Sequence, residues 1–349
     1  MPAGRPGTPA NTGVGIGHRP IQYRRAGARQ AARCPASGQA PRKFRKGDAR
    51  IAPRPGKSYP EGMIAVTGSS GLVGRALCAA LEARGDAVVR LVRRDATNSG
   101  ERRWGLPGGP DLTGVRAVIH LAGESIASGL WSPARKRRIR ESRVAGTRAI
   151  AEACARHEVP RLVCASAVGW YGDRAEEQLD ETSPPGTGFL AEVCQAWENA
   201  AEPARKAGAR VAYARFGQIL SWSGGSLAVQ ARLYRWGLGA RLGSGRQWMP
   251  WISLEDAVTG LLHLIDKKSE GPFNFVSPMP CRQLEFHQLM ARHFHRLTFP
   301  VAPSLLLRLL PGGFGRELLL ASAHIRPACL TETEFVWKAP DLATVLKRA

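Results

Sequence analysis

Three glycines and two arginines carry the clearest chemistry in this sequence. Gly68, Gly71 and Gly74 punctuate the run GSSGLVG, directly after the short apolar stretch MIAVT that begins at Met63. Arg93 and Arg94 stand nineteen and twenty residues past Gly74, within VRRD. A glycine turn between a strand and a helix exposes backbone N–H groups at the positive end of the helix dipole, a setting suited to phosphate. Gly68 permits the tight exit from the strand, Gly71 lets the backbone approach a pyrophosphate, and Gly74 lets the helix pack close. Ser69, Ser70, Leu72 and Val73 complete the cradle. A carboxylate at the tip of the second strand would hold ribose hydroxyls and repel a 2′-phosphate, whereas a guanidinium pairs with it. The expected cofactor is therefore NADP(H), with Arg93 its first phosphate ligand and Arg94 the second.

The elements that must position these groups follow from periodicity. MIAVT reads as a buried strand, RALCAALEARG as a helix ending at Gly85, and AVVRLV as a second strand. VRAVIHLAGES predicts a strand over Ala117 to Leu121. The small Ala122 and Gly123 beyond it leave room for a cofactor at the carboxyl end of the sheet. SPARKRRIRESRVAGTRAIAEACARH predicts a long helix, with Ser132 as its cap and Pro133 in its first turn. RLVCAS and RVAYARFGQIL supply two more strands. This alternation predicts an α/β fold: a doubly wound parallel Rossmann sheet with a smaller C-terminal substrate or cap domain. The expected boundaries are 63–222 for the nucleotide-binding domain, with 250–278 returning to it, and 223–249 plus 279–349 for the small domain.

Charge and composition narrow the function classes. The 349 residues carry a net charge of +22, but half of it lies in residues 1–62, which hold thirteen Lys/Arg and two acids, Asp48 and Glu61. That segment, rich in Gly, Pro, Arg and Ala, reads as a disordered basic extension. It fits a nucleic-acid arm, an Arg-rich transit peptide, or sequence upstream of a native start at Met63, and the last is the favoured reading. Nucleic-acid binding is not expected, because only Tyr23, Phe44 and Tyr59 are available for base stacking. No apolar run is long enough to cross a bilayer, and SLLLRLL is short, holds Arg308 and stops at Pro311, so no membrane role is expected. The seven cysteines are scattered and form no C-x-x-C pair, which argues against a disulfide framework or a zinc site and fits a reducing, cytoplasmic setting. His287, His293 and His295 lack a metal-ligand spacing, so no metal is expected.

The stretches TGSSGLVG, HLAGES, RESRVAGTR, ASAVGWYG, FLAEVCQAWE, GSGRQWMPWISLEDAV and GPFNFVSP occur in this order from Met63 nearly to Ala349. Together they resemble the atypical extended short-chain dehydrogenases/reductases described as epimerase family proteins. The resemblance implies cofactor contacts at Gly68 through Gly74, Arg93, Leu121, Ala122, Arg143 and Ile219. It departs at His120, where the group often has Asn, and at Ser253, where His is common. Working members of the wider family use a Tyr and, four residues on, a Lys. Here Leu190 and Cys194 occupy those positions, or Phe189 and Val193 in the neighbouring register. Loss of a positioned acid–base group costs about 10²–10⁴ in rate, so substitutes matter. Tyr171 offers a phenol, Glu124 a carboxylate near the cofactor end of the sheet, and Ser166 a hydroxyl for a carbonyl. On the substrate side, Arg246, Gln247, Trp248 and Trp251 place a cation and an amide among aromatics, a mix that suits a polar, anionic or planar ligand, although the tryptophans equally suit domain packing. SLLLRLL and RELLLASAHI read as two helices that cover the substrate cleft or form a homo-oligomer contact. The expected function is oxidoreductase or epimerase chemistry on an unidentified small molecule. The alternative is a non-catalytic NADP(H) sensor.

Overall fold

The computed structural model describes residues 62–105 and 109–347. The basic extension, apart from Gly62, lies outside the described residues. From Met63 the chain alternates: β1 (Met63–Thr67), α1 (Leu72–Ala83), β2 (Val88–Val92), β3 (Glu101–Arg103), β4 (Val115–His120), α2 (Pro133–Arg156) and β5 (Arg161–Ala167). Next come β6 (Gln178–Leu179), α3 (Phe189–Asn199), α4 (Glu202–Lys206), β7 (Arg210–Phe216), β8 (Gln218–Ser221), α5 (Gly225–Arg235) and β9 (Ala240–Leu242). The rest runs β10 (Trp251–Ser253), α6 (Leu254–Asp266), β11 (Gly271–Phe275), α7 (Gln283–His293), β12 (Phe299–Ala302), α8 (Ser304–Arg308), β13 (His324–Ile325), α9 (Ala328–Glu332) and α10 (Leu342–Lys347).

Seven strands form one parallel sheet in the order β11-β7-β5-β4-β1-β2-β3. The inner strands are short and mostly apolar because helices cover both faces, while the edge strand β3 is the charged ERR. On one face, Leu77 and Leu81 of α1 pack with Leu261, Leu264 and Ile265 of α6. On the other, Ile150 and Cys154 of α2 meet Ala201 and Ala204 beside α4. Chain order reverses between β1 and β4, which opens a crevice at their carboxyl ends where such sheets take ligands. A separate apolar cluster joins Leu227 and Tyr234 of α5 to Phe286 and Met290 of α7 and Leu342 and Leu346 of α10.

Two local expectations are corrected. RVAYARFGQIL is two strands, broken at Gly217, where an added Cβ would lie 2.7 Å from the Pro250 carbonyl oxygen. That close approach turns β8 out of the central sheet to pair with β10. RELLLASAHI is not one helix: a π-helical turn over Gly315–Leu320 gives way to extended backbone at Ala321 and then to β13. Among the described residues no helix is long and apolar enough to cross a membrane, and no His/Cys/Asp/Glu cluster could hold a metal. Cys78, Cys154, Cys164, Cys194 and Cys281 are free and buried.

Candidate functional site

The glycine turn is shaped by contacts that side chains could not share. Gly68 has φ +67°, and a Cβ there would meet the Leu121–Ala122 backbone at 3.0 Å. At Gly74 a Cβ would lie 2.1 Å from the Gly68 carbonyl oxygen, so α1 can press against the turn only with glycine at this position. Gly71 caps α1 without a side-chain hydrogen bond, and the first turn of the helix holds no acid. The helix therefore presents unshared N–H groups and a bare positive dipole end to the crevice. Ser69 and Ser70 sit in the turn, with Leu72 and Val73 opening the helix.

Thr67 ties the turn to β4. Its hydroxyl oxygen accepts the N–H groups of Leu121 (3.0 Å) and Ala122 (3.1 Å), which leaves its proton for His120 Nδ1 at 2.8 Å. The His120 ring is wholly buried, and burial pushes its pKa down to about 4, so it is neutral. With Nδ1 accepting, Nε2 carries the ring proton, and it is buried without a partner. Trp104, just past β3, meets His120 edge-on at 5.8 Å.

Beside this corner opens a cleft of about 310 Å³, lined by Arg93, Trp104, Ala122 and Gly123 at the strand ends and by Glu141, Ser142, Ala145 and Gly146 of α2. The two arginines differ sharply. Arg94 grips Glu101 with two bonds, at 2.6 and 2.8 Å, and this holds the carboxyl down at about pKa 2. Arg93 is exposed at the cleft and makes no ion pair among the described residues. Arg143 is turned inward: it donates to the carbonyls of Glu124 (2.9 Å) and Ile139 (3.1 Å), stacks over Trp197 and lies close to Gly123. Burial lowers its pKa. Ile219 sits in β8, near Gly225, which in turn crowds Leu72 at the start of α1.

The proposed acid–base substitutes do not line this cleft. Tyr171 is 0% exposed, its hydroxyl donating to Asn274 Oδ1 (2.8 Å) and accepting from Arg215 (3.0 Å). Burial raises its pKa to about 12. Ser166 donates to Glu198 Oε1 at 2.6 Å, and Arg215 donates two hydrogen bonds to the Glu198 carboxylate, at 2.8 and 2.9 Å. Arg215 also stacks on Trp170 at 3.9 Å. Sequence reasoning found Ser166 and Tyr171 but missed Glu198, Arg215 and Asn274, which bind them into one buried network across the ends of β5, β7 and β11. The Glu124 carboxylate pairs with Arg135 at 3.2 Å. In one of the two registers for a Tyr–Lys pair, Leu190 and Cys194 of α3 press on the turn after β5; in the other, Phe189 meets the Trp131 ring edge-on and Val193 is buried. A Cβ on Gly169 would be 3.1 Å from Leu190 Cβ, and Cys194 Sγ contacts the Ala167 carbonyl at 3.6 Å. Burial pushes the Cys194 thiol up to about 12.

The four substrate-side residues separate into different roles. Trp251 is buried at the start of β10. Trp248 stacks on His324 at 4.1 Å and under Arg282 at 4.0 Å, and donates to Glu176 at 3.0 Å. Gln247 binds the carbonyls of Leu242 and Leu319, while Arg246 is exposed. Ser253 caps α6 through Asp256 N–H at 2.9 Å.

Comparison with known proteins agrees with this architecture. Residues 64–275 match the NAD dependent epimerase/dehydratase family, and residues 302–349 match a domain of unknown function, DUF1731. An epimerase family protein of Mycobacterium bovis is 43% identical over 278 residues, covering 78% of this chain and 92% of that protein. The human epimerase family protein SDR39U1, solved with NADPH, is 27% identical with a TM-score of 0.75, covering 82% of this chain and 98% of that one. A nucleoside-diphosphate sugar epimerase from Corynebacterium glutamicum is 36% identical with a TM-score of 0.68, covering 82% of this chain and 58% of that one. From the glycine turn to the C-terminal domain, then, this chain belongs to the NAD dependent epimerase/dehydratase family, in the group of epimerase family proteins.

Proposed function

We propose that this protein binds NADP(H) in the cleft at the ends of β1, β2 and β4 and holds it for oxidoreductase or epimerase chemistry on a small molecule. The observation that carries this reading is the contrast at the end of β2: Arg93 stands free at the cleft, and Arg94 neutralises Glu101. A site for NAD would favour an acid there; this one offers a cation to a 2′-phosphate. The bare N-terminus of α1 suits the pyrophosphate. The cofactor, when bound, would supply hydride transfer. The chain would supply binding and orientation, worth several kcal/mol of barrier. The NADPH in the human structure and the sugar-nucleotide epimerase from Corynebacterium make nucleotide sugars the first substrates to screen. Calorimetric titration with NADPH and NADH, followed by a metabolite screen for NADPH oxidation, tests the reading. Preferential uptake of NADH, or of neither dinucleotide, would overturn it.

The apolar filling of the Tyr–Lys position favours a second reading, a cofactor sensor without turnover. Tight NADPH binding, an empty metabolite screen and a protein partner whose affinity follows the cofactor would select the sensor.

A further inference from the structure

The cap region carries an apolar face with no partner in the fold. The inner face of α5, with Leu227, Ala231 and Tyr234, is buried against α7 and α10. Its outer face carries Val229, Leu233 and Trp236 at helical spacing, all exposed, Trp236 by 79%. Leu297, 97% exposed, belongs to the same region, because its carbonyl lies 3.2 Å from a Cβ built on Gly237. β9 and β12 pair directly beyond, and α8 follows with Leu305, Leu306 and Leu309 exposed. Soluble monomers rarely leave so many large apolar side chains together in water.

The segments that build this face carry charge of one sign, and the neighbouring Glu317 is turned away to accept the Leu190 N–H at 2.9 Å. Residues 223–254 and 286–316 contain no Asp or Glu, yet hold Arg232, Arg235, Arg296 and Arg308, all exposed. None of these four makes an ion pair among the described residues. A two-fold contact with a second copy would set this patch against itself, arginine rim against arginine rim, which is repulsive. Leucines and a tryptophan ringed by arginines instead match the boundary between headgroups and acyl chains of an anionic bilayer. We infer that the α5–β9–β12–α8 face docks the protein peripherally on anionic lipid surfaces. This stands apart from the nucleotide site.

The test uses the full chain with vesicles of phosphatidylcholine alone or with about one-third phosphatidylglycerol, including lipids brominated on the acyl chain. Anionic vesicles should bind about tenfold or more tightly, and bromine should quench a tryptophan component that disappears in Trp236→Phe. The double variant Leu297→Ser/Leu306→Ser should bind about tenfold more weakly, with unchanged thermal melting. The basic first sixty-one residues also attract anionic vesicles, but they contain no tryptophan, so the quenching reports the patch. Quenching that survives Trp236→Phe unchanged, or equal binding by the double variant, would overturn the inference. So would a dimer in light scattering that the double variant abolishes, which would give the face to a second copy.

Discussion

Replacing Arg93 by Ser should separate NADPH from NADH. Its guanidinium is exposed at the cleft and unshared, so a 2′-phosphate would gain a new charge-assisted pair at little reorganisation cost. Such a pair contributes about 1.5–3 kcal/mol when protected and less where water and salt screen it. Taking about 2 kcal/mol, NADPH affinity should fall about thirtyfold, while NADH, which lacks that phosphate, should change by less than about threefold. Arg94 is the control. Its two bonds to Glu101 leave it little to offer a ligand. Arg94→Ser combined with Glu101→Gln removes both charges of that pair and keeps the local sum constant. That double variant should change NADPH affinity by less than about threefold. Calorimetry at low and high salt measures all three proteins, and the Arg93 effect should shrink as salt rises. Equal weakening of NADPH and NADH in Arg93→Ser, or a larger loss in the Arg94 double variant, would refute the assignment.

Tyr171→Phe removes the hydroxyl shared by Arg215 and Asn274, so urea unfolding should show a loss of about 1–3 kcal/mol with NADPH affinity unchanged; an altered pH profile of any turnover would give Tyr171 a chemical role instead. Gly74→Ala forces a Cβ against the Gly68 carbonyl, and should cost about 1–3 kcal/mol and abolish nucleotide uptake in calorimetry. Glu181 is buried, its Oε1 accepting from Asn274 and Cys329 while Oε2 has no partner, and burial raises its pKa to about 7. The folded carboxyl thus holds a proton that the unfolded chain releases above its ordinary value near 4.3, so stability falls as pH rises from about 4.5 through about 7. Glu181→Gln should remove that slope, worth up to about 3 kcal/mol between pH 5 and 8; parallel pH–stability curves for the two proteins would refute it.

What could be read from the sequence was what local backbone geometry dictates. The β1–α1–β2 unit was legible because Gly68 needs a positive φ and Gly74 needs contact with the turn just before it. β3 and Trp104 were not, since ERR is three charged residues with no apolar alternation. The break at Gly217 was hidden because its cause, the Pro250 carbonyl, arrives from thirty-three residues away. The same distance effect made Ser166 and Tyr171 look available. Their hydroxyls are occupied by Glu198, Arg215 and Asn274, spread over α3, β7 and β11, and no spacing rule links those positions.

The missing Tyr–Lys pair is a different case, because an absence can be read from sequence but its consequence cannot. A pocket that had merely lost two side chains would keep the space they occupied. Here Leu190 is packed toward Gly169 and the Cys194 thiol toward the Ala167 carbonyl. Leu190 has no proton to give and burial pushes the Cys194 thiol up to about 12, so neither of these two side chains can replace the missing pair.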